Sequence, residues 1–275
     1  MRMPAPGAIA HIIAGGYPPG TFAGHDIDYA RLRFLQLLHE RDAPATVAGD
    51  FTDIEKWLPE RRFLITYVAG PIANDAQAAY LQRWLEGGGR WLALHGSAGG
   101  RAARVEGAPH RRTMVKTDHH AVLGAFFLTH PPVRRFTVRV SPHAITEGLP
   151  ATFDVVDELY FIELQDADRR QVLLTTELEG DPSPPGFGFV YERDSSLQAD
   201  GKTRVLAFTR EVGGGGVTYV ALGHCHTPES SIQPFVDESA APDGKTPPLL
   251  RGPWETPAFE RLLANCIDWG LAGER

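Results

Sequence analysis

Cysteine is scarce in this chain. There are two in 275 residues, Cys225 and Cys266. Two distant thiols build neither a disulfide framework nor a zinc ribbon. Long apolar runs are missing too, and none approaches the ~20 residues that cross a bilayer. Met1 to Ile13 shows no charged region followed by a long apolar run, so no signal peptide is expected. The expectation is a reduced, cytoplasmic protein. Positive charge is short as well: 27 Lys and Arg face 34 Asp and Glu, a net charge of −7, with a pI near 5.9. That excess of acid argues against nucleic acid or an anionic membrane as partner. The one basic cluster (Arg101, Arg104, Arg111, Arg112, Lys116) has no interleaved aromatics and reads as a solvated loop.

What is present suits a single α/β domain over residues 1–275, with 43% hydrophobic and 22% charged residues. The run from Ala8 through His11-Ile12-Ile13-Ala14 reads as a buried strand, followed by a Gly/Pro loop to Gly24. Asp26 is placed to cap a helix to Glu40 whose apolar positions, from Ile27 through Phe34 to Leu38, recur at helical spacing. Ala45–Ala48 is a weak strand. Phe63–Val68 is continuously apolar, as in a strand covered on both faces. Asn74 and Gln77 open a helix that Gly87-Gly88-Gly89 ends, and Trp91–Leu94 is the next strand. Strands alternating with helices imply a parallel, doubly wound sheet.

Further on, the pattern changes. Gly99–Thr117 is polar and without period and reads as an excursion. Ala121–Phe127 reads as a short helix or turn. Strands are expected at Arg135–Val140, over Asp154–Glu163 and at Gln171–Thr176. Thr203–Val212 and Val217–Leu222 form a hairpin turned by Gly213–Gly216. Asp237–Trp254 is a Pro-rich loop. Thr256 and Pro257 start a final helix with Phe259, Leu262, Leu263, Cys266, Ile267 and Gly270 inward.

The chemistry-bearing residues cluster at strand ends. His95 closes the Trp91–Leu94 strand and is followed by Gly-Ser-Ala-Gly, small residues that permit a sharp nucleophile-elbow turn. Yet no Gly-x-Ser-x-Gly occurs and no cysteine stands at the turn. His95 is thus a candidate general acid/base, metal ligand or ligand donor; the plainer reading is a strand-end hydrogen bond. Ser97 is a candidate for substrate contact, or a helix cap. His224 ends its strand as His95 does, and pairs with His226 as H-x-H; both reach one metal only if the backbone bends at Gly223. On a strand, Asp157 and Glu158 face opposite sides, so one carboxylate can orient a histidine. His25-Asp26 sits at a loop-to-helix junction suited to an anion or a sugar. His119-His120 and His130 read as structural, and Cys225 as a thiol on an apolar face.

Taken in order, these segments resemble one family. Gly15-Gly16 and His25-Asp26, the Gly87–His95 stretch, His143-Ala-Ile-Thr-x-Gly-Leu-Pro150, Asp157-Glu158-Leu159-Tyr160 and Tyr219-x-Ala-Leu-Gly-His224 are similar to the trehalose-utilisation (ThuA-like) proteins. The terminal Phe259–Trp269 helix fits as well. The resemblance implies a flavodoxin-like three-layer sandwich, as in class I glutamine amidotransferases, its mostly parallel sheet carrying an added antiparallel hairpin region. It also implies that His95 stands beside the amidotransferase nucleophile position and His224 at the triad histidine. Glutaminase chemistry needs a thiolate at the elbow, so the missing cysteine excludes it.

The resemblance implies a function in carbohydrate catabolism, on trehalose-related or 3-keto glycosides. His95, His224 and Glu158 are the candidate catalytic residues, and His25, Asp26, Ser97 and Tyr160 the substrate-binding ones. If a divalent metal such as zinc is held, His95, His224 and His226 are its candidate ligands. Two alternatives stay open: a non-catalytic sugar-binding or accessory protein, and a metal-dependent hydrolase of another substrate class. A small-molecule carbohydrate is the expected partner, with self-association into a homo-oligomer left open. No nicotinamide fingerprint is present.

Overall fold

Strand β1 (Ala10–Gly16) sends alternate side chains into two different cores: Ile12 into one apolar cluster and Ile13 into another. The same alternation runs through β3 (Phe63–Ala69), with Phe63, Ile65 and Tyr67 on one side and Leu64 and Val68 on the other. It continues in β4 (Arg90–Leu94), where Leu92 and Leu94 oppose Trp91 and Ala93. A strand that is apolar throughout is covered on both faces. Helix α1 (Ile27–His39) covers the first face with Ala30, Phe34 and Leu38. Across the sheet, the short α2 (Ile54–Trp57) and α3 (Asp75–Glu86) bring Ile54, Ala78, Leu81 and Leu85 to the second. Strand β2 (Ala45–Ala48) lies at the edge. The structure, a computed structural model, describes residues 9–17, 24–165, 170–230 and 233–272. The expected N-terminal stretch through residue 8 and most of the Gly/Pro loop, residues 18–23, lie outside them.

The middle of the chain departs from expectation. The excursion after His95 is an antiparallel ribbon of β5 (Ala102–Val105) and β6 (Ala108–Met114). Small apolar and charged residues mix on both of its faces, so the sequence carries no clean alternation there. Helix α4 (Asp118–Leu123) ends at Gly124 (φ +88°), and β7 (Ala125–Thr129) follows where one short helix or turn was expected. Strand β8 (Arg134–Val140) matches. The single strand expected over Asp154–Glu163 is two: β9 (Thr152–Asp157) pairs with β8, and β10 (Phe161–Leu164) pairs with β7 in a separate sheet. The chain breaks between them at Glu158–Tyr160. Both Asp157 and Glu158 are therefore buried, which corrects the reading of one inward and one outward carboxylate.

Strands β11 (Arg170–Glu177), β12 (Thr203–Val212) and β13 (Gly215–Val220) complete the main sheet. Its order is β2-β1-β3-β4-β13-β12-β11-β8-β9, parallel through β13 and antiparallel beyond. The β12–β13 turn explains both glycine runs. A Cβ on Gly215 would lie 2.0 Å from the Gly89 carbonyl oxygen, so the turn and the end of α3 meet backbone to backbone. Helix α5 (Pro257–Leu271) is capped by Thr256 and buries the six residues expected of it. Among the described residues, no helix is long and apolar enough to cross a membrane.

Candidate functional site

The parallel strands β4 and β13 end side by side, Leu94 in register with Val220. The crevice beyond such ends is where open α/β sheets bind ligands. After Leu94 the chain turns sharply: His95 adopts φ +46°, a left-handed conformation that a non-glycine residue rarely takes without cause. The turn is possible because Gly96 lies against β3, where a Cβ would come within 2.2 Å of the Val68 carbonyl oxygen. His119 Nε2 donates to the Ser97 carbonyl (2.9 Å) and His120 Nε2 to that of Gly99 (2.7 Å). Tyr219 Oη donates to the His95 carbonyl (3.0 Å). The elbow is thus clamped from behind.

Its front carries the cluster. His95 Nε2 lies 3.2 Å from Glu158 Oε2, and His224 Nδ1 lies 3.3 Å from the same oxygen. His25 Nδ1 lies 3.1 Å from His224 Nδ1, and the His25 ring meets that of His95 edge-on at 4.9 Å. One ligand atom from each of His25, His95, Glu158 and His224 lies within 4.8 Å of all the others. His95, Glu158 and His224 are at most 5% exposed, while His25 retains more contact with solvent. Tyr160 stacks on His95 at 4.0 Å between ring centroids. His130 stacks on Tyr160 at 5.6 Å and reaches within 3.7 Å of Glu158 Oε1, an oxygen that also accepts from Gln233 Nε2.

Asp157 holds the frame. Its carboxylate accepts from the backbone amides of Glu158 (2.8 Å), His224 (2.9 Å) and Gly223 (2.8 Å). It fastens the β9 break to the end of β13. Gly223, at φ +134°, supplies the bend expected there, and its carbonyl accepts from Tyr67 Oη (2.8 Å) and Trp254 Nε1 (2.7 Å).

The charges follow from burial and neighbours. Burial opposes the charged form of His95, but the hydrogen bond to Glu158, with Asp157 nearby, lifts its pKa above the usual imidazole value. Burial, with neighbouring imidazoles, drives His25 well below that value. Burial also lowers His224, against the pull of Glu158. Glu158 goes the other way: burial opposes its charge, yet the imidazoles of His130, His224 and His95 hold it well below the carboxylate range. Burial pushes Asp157 up to about 7.

Other expected site residues fall elsewhere. Asp26 accepts from the Tyr29 amide (3.1 Å) and from Arg251 (2.6 Å), so it caps α1 and ties down the C-terminal loop. Ser97 is buried against Thr66, its hydroxyl donating to the Thr66 carbonyl (3.0 Å). His226 is not among the four converging residues. It stands behind His224, its Nδ1 2.8 Å from His224 Nε2 and its Nε2 2.8 Å from the Pro247 carbonyl. The bend at Gly223 turns the two rings toward each other rather than toward a common point. Cys225 is a buried thiol that burial pushes up to about 12. His130 and Gln233 were not expected in the site. His130 before two prolines was a visible oddity; nothing in the sequence marks Gln233. A surface cleft of about 660 Å³ near the β12–β13 turn, lined by Arg90, Arg170 and Arg210 among others, shares no residue with the cluster.

Residues 21–235 match the family described as Trehalose utilisation, ThuA. The chain belongs to the ThuA family. Solved structures agree in fold. A ThuA-like protein from Bacteroides uniformis ATCC 8492 is 17% identical, with a TM-score of 0.60 over 98% of this chain and 94% of the other. A second, from Parabacteroides merdae ATCC 43184, is 12% identical, with a TM-score of 0.55 over 96% and 90%. No curated protein matches the sequence.

Proposed function

We propose that this ThuA protein acts on a keto-glycoside of the trehalose type, within one domain spanning residues 1–275 built as the flavodoxin-like sandwich of class I amidotransferases. Helices on both faces of the parallel half-sheet and the elbow at His95 support that architecture. The observation that carries the reaction is the meeting of His25, His95, Glu158 and His224 within 4.8 Å at the carboxyl ends of β4 and β13.

A keto group acidifies the C–H bond next to it. Removing that proton from the carbon between a 3-keto group and the anomeric centre lets the glycosidic oxygen leave, once that oxygen is protonated. Such chemistry needs a base, an acid and an electrophile at the carbonyl. The cluster contains imidazoles whose proton affinities are pushed apart, His95 upward and His224 downward, the pattern of an acid and a base side by side. Glu158 orients both. Tyr160 forms the wall under His95, and His25 with His130 stands on the solvent side. A cysteine-free elbow keeps the glutaminase route closed.

The test is turnover of a 3-keto disaccharide, followed by release of one free monosaccharide together with an unsaturated 3-keto sugar from the other ring. The wild-type chain is expected to turn it over and His95→Ala to lose at least a hundredfold in kcat/KM, about the minimum for an acid–base group. Turnover that survives His95→Ala and His224→Ala together ends this reading.

A further inference from the structure

The hydrogen bonds behind the cluster determine which nitrogen of each imidazole bears a proton. The Ala221 carbonyl can only accept, so His95 Nδ1, 2.7 Å away, donates to it. A neutral His95 therefore presents a bare Nε2 to Glu158. The same logic runs through two residues at His224. The Pro247 carbonyl takes a proton from His226 Nε2, which leaves His226 Nδ1 as acceptor, so His224 Nε2 must donate to it. His224 then presents a bare Nδ1 to the same Glu158 oxygen. Two lone pairs and a carboxylate oxygen converge within 3.3 Å, and His25 Nδ1 adds a fourth donor atom 3.1 Å from His224. Acceptors facing one another repel unless something positive lies among them.

The geometry points to a divalent transition-metal centre of the zinc type held by His25 Nδ1, His95 Nε2, His224 Nδ1 and Glu158 Oε2, with His226 and the Ala221 carbonyl as its outer supports. Three imidazoles and one carboxylate suit a first-row transition ion. Calcium and magnesium take oxygen donors and are poorly served here. Ligating histidines generally donate their other ring N–H to a carbonyl or a further acceptor, which fixes the ring and its tautomer; His95 and His224 do both. The four ligands come from the loop before α1, the elbow after β4, the break after β9 and the end of β13, so the ion would lace four segments together. The centre differs from the set the sequence suggested: His25 and Glu158 enter, and His226 moves behind. This inference rests on the same site as the keto-glycoside reading; with the ion bound, His95 and His224 would serve as ligands in place of the acid–base roles given them above, and the ion would polarise the sugar carbonyl.

The competing arrangement puts a single proton among the imidazoles in place of the ion. Metal analysis and thermal unfolding of the full chain separate the two. The protein is stripped with a chelator, exchanged into metal-free buffer and titrated with zinc chloride or cobalt(II) chloride. One tightly held equivalent per chain is expected, with a rise in Tm of about 5–10 °C at saturation. Cobalt should give the strong visible absorption of a four- or five-coordinate site. Glu158→Gln and His25→Ala should abolish the tight equivalent. His226→Gln should leave the four ligands in place yet weaken binding about 10- to 100-fold. The far-ultraviolet spectrum of each variant shows whether it folds; Glu158→Gln, close to isosteric, guards against collapse of His25→Ala. No retained metal and a Tm unmoved by zinc, cobalt, manganese, nickel or iron(II) overturns the centre. So does zinc bound equally well by Glu158→Gln. If the metal-free chain still turns over a keto-disaccharide, the metal falls and the sugar reading stands. One bound equivalent without any turnover leaves the reverse.

Discussion

Two groups of buried histidines sit on opposite sides of the same elbow. His95 and His224 lie in front, with His25 closing them off; His119 and His120 lie behind. His95, His224, His119 and His120 are at most 1% exposed. What separates the groups is the partner. Behind the elbow, His119 and His120 give their protons to the Ser97 and Gly99 carbonyls, and among the described residues neither pairs with a carboxylate. Burial lowers both, His119 to about 3, and they stay neutral pegs. In front, His25, His95, His130 and His224 surround one carboxylate, and the proton affinities of His25, His95 and His224 diverge. Burial makes a histidine expensive to charge; a shared acid makes it chemically useful.

The largest expected effect comes from exchanging the partners' roles. Glu158→Gln should cost about a hundred- to ten-thousandfold in turnover of a 3-keto disaccharide, while His119→Gln should leave kcat within a few-fold and show its damage in the denaturant midpoint. Equal losses of turnover from both would erase the distinction. Next in size is the elbow itself. Gly96→Ala drives a Cβ against the Val68 carbonyl, and a loss of about 3 kcal/mol is expected by chemical denaturation. A variant as stable as wild type would show that the turn has slack.

The pH dependence of stability sharpens the contrast further. His119 in the folded chain lies near 3, against 6.5 for the free side chain. The unfolded chain therefore binds a proton first. Stability is full above pH 6.5 and falls as pH drops toward 3, by up to about 1.4 kcal/mol per pH unit for this one group. His11, lowered to about 4 by burial and by Arg61, adds to the same acid limb. Removing the imidazole in His119→Gln should flatten the limb by one proton; an unchanged slope would mean that His119 is not the group responsible. The smallest effect is expected at Asp26. Asp26→Ala removes the α1 cap at a cost of about 1 kcal/mol, read as a small drop in Tm. A fall in sugar affinity without that drop would return Asp26 to the pocket.

Much of this was legible in the sequence, for a physical reason. Parallel strands that are apolar throughout, glycine-ended helices and histidines at strand ends are local patterns. They placed β1, β3, β4, α3 and α5, and they drew attention to His25, His95, Glu158 and His224 one at a time. What the sequence concealed was relational. The β5–β6 ribbon mixes small apolar and charged residues on both faces and leaves no period to read. The break at Glu158–Tyr160 exists because β9 and β10 join different sheets, a choice made by β7 and β8 rather than by the segment itself. His226 stands behind His224 because of the Pro247 carbonyl, 21 residues away. Gln233 enters only through its bond to Glu158.

The separation between His25 and His224, 199 residues, sets a timetable. A ribosome delivers the first histidine long before the last, so a growing chain carries His25, His95 and Glu158 without their closing partner. Until β13 docks beside β4 and Trp254 locks onto Gly223, the four side chains of the cluster are not brought together. Synthesis order alone thus keeps the cluster apart until the scaffold is nearly whole.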